Sequence, residues 1–224
     1  MYSLVLLSCL PPHQYRVMQP ALLLTSFILI GSIHAQRTMY QRADGGPIFG
    51  PSGQPTMFDI GQGYGNPDCG FIAPLAAIVQ VSPDWIRSKL NIVGTTSDAS
   101  AVTVQMYDPG TLEPVKEDVT WSEGTVFSDD HTSAWWPGAY DHAAIDIGMH
   151  TTNGRLGPIV PGDALSAITG IRGLCDWTSS PDQLFDEFQK AQKYDTPIVL
   201  VTYTSTKILV NEHAYAIINT SMAD

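Results

Sequence analysis

Phe71, Ile72, Leu75, Ile78 and Val79 recur at three- and four-residue steps, which predicts a core-facing helix opening near Cys69. Asn66 and Asp68, in the turn before it, are residue types that suit a helix start. Asp84 is read as the cap of a second short helix beginning near Trp85. The period then changes. Residues 101–107, AVTVQMY, are β-rich and end at Asp108-Pro109-Gly110, and with Glu113-Pro114-Val115 and Val119-Thr120-Trp121 they predict a hairpin or meander. Helical spacing returns over 135–150 through Trp135, Trp136, Tyr140, Ala143, Ala144 and Ile147. A short apolar segment, 164–171, is stopped by Thr169-Gly170. A helix is expected over 181–194, with Ser180 as cap, Pro181 in its first turn and Leu184, Phe185 and Phe188 as its apolar face. Strands are expected over 197–204 and 214–220. Helices concentrate early and strands late, which predicts an α+β fold rather than alternating βαβ units.

Composition narrows the class. The chain has 224 residues, enough for one large domain or two small lobes around a cleft, and its 44% hydrophobic and 15% charged content suits a globular protein. A formal net charge of −11 argues against a general nucleic-acid binder, which would show a basic face. Three cysteines, Cys9, Cys69 and Cys175, are too few for a disulfide scaffold, and no CxxC pair or HExxH pattern is present.

Residues 1–35 read as a signal peptide. Arg16 is their only Lys, Arg, Asp or Glu, residues 21–33 are almost continuously apolar, and Ala35 supplies a small residue before a cleavage point. Met18 offers a second start with a more compact leader. The apolar run is short for a membrane span, so the expected mature chain is secreted and has none. Residues 36–58 are expected to form an extended polar lead-in, and 59–224 the main domain. The mature chain keeps Cys69 and Cys175, which an oxidising compartment would allow to pair.

Cys69 carries the candidate chemistry. At the first turn of a helix, unpaired backbone N–H groups and the helix dipole favour an anion, so a thiol there is expected to have its pKa lowered and to become a better nucleophile. It needs a base, something to orient that base, and donors for an oxyanion. His213, where an apolar strand begins, is the best candidate base. His131 lies in a polar loop, and His142 and His150 on or beside a helix. Asp129-Asp130-His131 has metal-binding residue types without diagnostic spacing. Asn219-Thr220-Ser221 is formally a glycosylation sequon.

Together these residues carry a family resemblance. Gln62-Gly63-Tyr64-Gly65-Asn66-Pro67-Asp68-Cys69, with Phe71-Ile72-Ala73 and Leu75-Ala76-Ala77 after it, resembles the calpain-type cysteine protease motif QGxLGDCWFLAALA. Glu212 to Ile217 resembles the family's GHAYSV segment. Trp135-Trp136-Pro137 through Ala144 is similar to its WPALLEKAYAK helix, and residues 164–170 to its AL..LTGG segment. The resemblance implies a papain-like two-lobe fold with a helical Cys lobe and a β-rich His lobe. It implies a cysteine endopeptidase acting on protein or peptide substrates, and calcium as a candidate cofactor. It implies Cys69 as nucleophile, His213 as general base, and Gln62 with the Cys69 backbone N–H as the oxyanion hole.

Three departures stand out. Gln62 lies seven residues before Cys69, one more than in the family pattern. Gly70 replaces the tryptophan that follows the cysteine. Only eleven residues follow His213, so the family's asparagine in an NPWG-like segment has no counterpart and the domain is expected to be C-terminally incomplete. Two rival readings therefore stand beside the peptidase: an inactive or truncated module that binds peptides or partners, and a secreted structural domain bridged through Cys69 and Cys175.

Overall fold

Residues Cys69–Val81 form helix α1, and its surroundings explain why it is apolar on nearly every face. The computed structural model describes residues 2–4, 44–62, 66–127, 132–178, 180–203 and 209–218. Within these, α1 lies between two hydrophobic clusters. Phe71, Leu75 and Ile78 enter the first, with Ile48, Trp135 and Tyr140. Ala73 and Ala77 enter the second, with Val199, Val201, Tyr215 and Ala216, while Cys69 and Ala76 pack against it. Cys69, Ala73 and Ala77 are spaced four apart, so they stack on one face. Their small side chains let a sheet come close. The opposite face gains from size: full burial of Phe71 and Leu75 contributes roughly 2 kcal/mol each.

The second helix, α2 (Pro83–Ser88), has Ser82 rather than Asp84 at its N-cap position, and Asp84 lies in its first turn. Pro83 explains the shift, because it suits the opening of a helix and moves the N-cap two places back. Strands β2 (Leu90–Thr95), β3 (Asp98–Tyr107) and β4 (Pro114–Thr120) form an antiparallel sheet in that order. The β3–β4 pair is the expected hairpin, with Val102 opposite Val119 and Tyr107 opposite Pro114. Trp121, expected in the strand, instead opens helix α3 (Trp121–Phe127). Glu123 accepts from the Thr120 backbone N–H at 2.8 Å and from its hydroxyl at 2.6 Å, so a local cap ends the strand.

Helix α4 (Trp136–Asp146) follows and delivers the expected aromatic core. Trp135, Trp136 and Tyr140 are fully buried, and each polar atom has a partner. The Trp135 indole donates to Gly46 O, the Trp136 indole to Asp59, and the Tyr140 hydroxyl to Ile86 O. Asp59 is itself buried and also accepts from the Thr132 hydroxyl and the Thr56 N–H. The lead-in is not extended as expected: where described, from residue 44, it turns at residues 50–54 and enters a 3-10 helix at Met57–Asp59, because it contributes Ile48 and Phe49 to the core.

A short hairpin of β5 (Thr151–Thr152) and β6 (Arg155–Leu156) leads through residues 157–160 to α5 (Pro161–Thr169). Gly170 ends α5 in the left-handed conformation at φ 71°, as its sequence predicts. After β7 (Asp176–Thr178) comes α6 (Pro181–Lys193), where the Ser180 hydroxyl accepts from the Gln183 N–H. Leu184, Phe185 and Phe188 are half-buried rather than core, because α6 covers the second cluster from outside and buries only Ala191 fully.

Strands β8 (Val199–Thr202) and β9 (His213–Ala216) pair antiparallel, with Thr202 opposite His213. Tyr2–Leu4 forms β1 and lies between β7 and β8. The rest of the expected signal peptide lies outside the described residues. A leader cleaved after Ala35 would take β1 out of this sheet and leave the β8–β9 pair intact. Among the described residues no helix is long and apolar enough to cross a membrane. The mixture of helices and a separate set of antiparallel strands is the expected α+β class.

Candidate active site

The N-terminus of α1 and the start of β9 meet at one cleft of about 580 Å³. Cys69, Gln62 and His213 all line it, so the tertiary structure brings the three sequence-derived site residues to one place. A helix end and a strand end separated by more than a hundred residues meet there because Ala73 and Ala77 of α1 pack in one cluster with Ala214 and Ala216 of β9.

Cys69 is half-buried and unbridged, and Cys175 is also a free thiol, exposed at the surface. The Cys69 pKa is not lowered as its place at a helix start predicts: burial pushes it up, and the neighbouring Asp68 charge adds to this. The backbone N–H groups of Ala214, Gly70 and Cys69 itself oppose the rise. Two of these belong to the helix start and the third to the residue after His213. The sulfur therefore faces backbone donors from both sides of the cleft.

Burial holds the His213 imidazole below its ordinary pKa, in the form that accepts a proton. These directions favour a neutral thiol and a neutral imidazole lining the same cleft, the forms from which general-base activation starts.

Two residues not singled out in the sequence hold His213. Buried Thr202 pairs with it across the sheet, and the Thr202 hydroxyl donates to Val210 O and accepts from the His213 N–H at 3.4 Å. The Tyr215 ring meets the His213 ring edge-on, with centroids 4.9 Å apart. Its hydroxyl accepts from the Val210 N–H. The strand period of two gives the signal for Tyr215, since His213 and Tyr215 share a face. Nothing in the local sequence gives Thr202, which comes from the other strand. Among the described residues none hydrogen-bonds the His213 ring.

Gln62 is committed within its own turn. Its side-chain amide donates to Asn66 O at 2.6 Å and to Asp68 Oδ1 at 2.9 Å. An amide nitrogen has two hydrogens, so both are used. Arg155 adds a bond to Asn66 Oδ1 at 2.6 Å, tying the same turn to the β5–β6 hairpin. Asp68 thus does two things: it takes one of the donors expected at the oxyanion, and it raises the Cys69 pKa.

Gly70 explains one departure from the family pattern. A Cβ there would lie 1.9 Å from Ile159 O, so the 157–161 loop fills the space beside Cys69. Pro158, Ile159, Val160 and Pro161 then form the apolar wall of the cleft facing His213 and Tyr203.

The remaining candidates lie elsewhere. His142 pairs with Asp146 at 3.0 Å on α4. Asp129, Asp130, His131 and the Asn219-Thr220-Ser221 sequon lie outside the described residues. Among the described residues no three His, Cys, Asp or Glu side chains come together. No family model matches the chain, and no curated protein matches it.

The Asp68 effect is testable. The thiolate is the reactive form, and a raised pKa leaves less of it at neutral pH. Alkylation of Cys69 by iodoacetamide should therefore climb steadily with pH from about 7 to 9 without an acid-side plateau. Asp68→Asn removes the like charge and keeps an oxygen for Gln62. It should shift the climb to lower pH and raise the rate at pH 7 by about two- to fivefold. An unchanged profile would show that Asp68 does not act on the thiol.

Proposed function

We propose that this chain is a calpain-like cysteine endopeptidase with a papain-like arrangement, in which the α1 region and the β8–β9 region form the two walls of a substrate cleft. The observation that carries the reading is the meeting of Cys69, at a helix N-terminus, with His213, at a strand start, in one cleft lined by apolar residues. His213 takes the Cys69 proton as the sulfur attacks the peptide carbonyl. The same imidazole returns the proton to the leaving amine. Water, activated by His213, then cleaves the thioester. The N–H groups at the helix start face the developing oxyanion. Gln62 joins them once its amide turns away from Asn66 and Asp68.

The test is hydrolysis of a fluorogenic peptide library, followed by inactivation with iodoacetamide. The expected result is loss of activity in proportion to alkylation of Cys69. Hydrolysis that persists after full alkylation would overturn it. The commitment of both Gln62 donors favours a second reading, a peptide-binding module that does not cleave. Saturable peptide binding without turnover, with and without calcium, would select that one.

We also propose export through the N-terminal leader. N-terminal sequencing of the chain recovered outside cells should begin at Gln36. Recovery of Tyr2 in that material would overturn cleavage and leave β1 in its sheet.

A further inference from the structure

We propose that Glu212 is a specificity-determining residue that selects peptides carrying a basic side chain beside the bond to be cut. The inference rests on the peptidase reading of the same cleft. Among the described lining residues Glu212 is the only Asp, Glu, Lys or Arg. The walls around it are apolar, with Ile159, Val160 and Val201 among them. Among the described lining residues no Lys or Arg answers this carboxylate.

Its position fixes what it reads. Glu212 directly precedes His213, and both line the same cleft. It is exposed, and a substrate side chain can reach it. Its backbone gives the independent observation. Glu212 is held at φ 50°, in the left-handed region, where a side chain beyond glycine costs about 1 kcal/mol or more. Five non-glycine residues share a positive φ among the described residues, and Glu212 is the one that lines the cleft. Strain of this kind collects at functional sites. An incoming arginine would form a charge-assisted pair with Glu212 while its methylenes lie on the apolar wall.

The test compares fluorogenic peptides identical except for arginine or citrulline at the residues flanking the cleaved bond. Citrulline has nearly the same shape without the charge. The wild-type protein should favour arginine by about three- to fivefold in kcat/KM, the scale of an exposed ion pair. The preference should shrink at high salt. It should collapse to near unity in Glu212→Gln and invert in Glu212→Lys. Glu113→Gln, a remote exposed acid, should keep the wild-type ratio and so exclude a general effect of net charge. A wild-type ratio near one, or a ratio kept by Glu212→Gln, would overturn the proposal while leaving the peptidase reading standing. The same pairs are titrated by fluorescence anisotropy against Cys69→Ala, with and without Glu212→Gln. If no peptide is hydrolysed, the peptidase reading fails, and the binding ratio decides the role of Glu212 alone. An arginine preference that Glu212→Gln removes supports it, and equal binding of both peptides overturns it.

Discussion

Replacing Cys69 with alanine is expected to lower kcat/KM for a cleaved peptide by a factor on the order of 10⁴ or more, to the level left by binding and backbone donors alone. The substitution removes the sulfur and little packing, because Cys69 is half-buried in a stripe with Ala73 and Ala77. Its thermal unfolding should stay close to that of the parent. His213→Ala should give a loss of similar size, since a thiol whose pKa is raised by burial does not ionise unaided at neutral pH. The double variant should be no worse than either single one, because nucleophile and base act as a unit. Progress curves with matched unfolding curves check all three. Near-normal turnover by Cys69→Ala would end the cysteine-peptidase reading, and additive losses would separate the two residues.

The second large effect is on stability. Gly70→Ala should destabilise the chain by at least about 3 kcal/mol, at the upper end of the overpacking range. For a domain of this size that is a fall in Tm of roughly 10 °C. The added Cβ would lie 1.9 Å from Ile159 O, a backbone atom in a loop stiffened by Pro158 and Pro161. Neither side can yield easily, because Gly70 is buried within α1. The contact also holds one wall of the cleft, so Cys69 alkylation should change with it. Gly110→Ala is the control. Its Cβ would meet only the Asp108 side chain, at 3.3 Å, and the change should stay within about 0.5 kcal/mol. Equal midpoints for the two variants in denaturant titration would show that the loop accommodates the methyl group.

Much of the local structure was legible in the residue pattern. The period of 3.6 set α1, and the aromatic residues of α4 are buried as their spacing predicts. Ser180 caps α6 and Gly170 stops α5 because a hydroxyl and a missing Cβ solve problems confined to one turn. The same local logic misplaced Trp121, where a cap by Glu123 overrode strand propensity, and Phe185, whose helix lies outside the cluster it covers.

The site divides along the same line. The sequence by itself determined that a cysteine would stand at the first turn of a buried helix, since that depends only on the turn and the apolar period that follows. It marked His213 at a strand start for the same kind of reason. Only the tertiary structure decided that these two line one cleft, that Thr202 and Tyr215 hold the histidine, and that Asp68 and Asn66 occupy the Gln62 amide. Each of these depends on distances between segments remote in the chain or on competition among donors in a folded turn, and neither is set by periodicity. Gly70 shows the division at one residue. In the sequence it is a missing tryptophan, whereas in the fold it is the space that Ile159 fills.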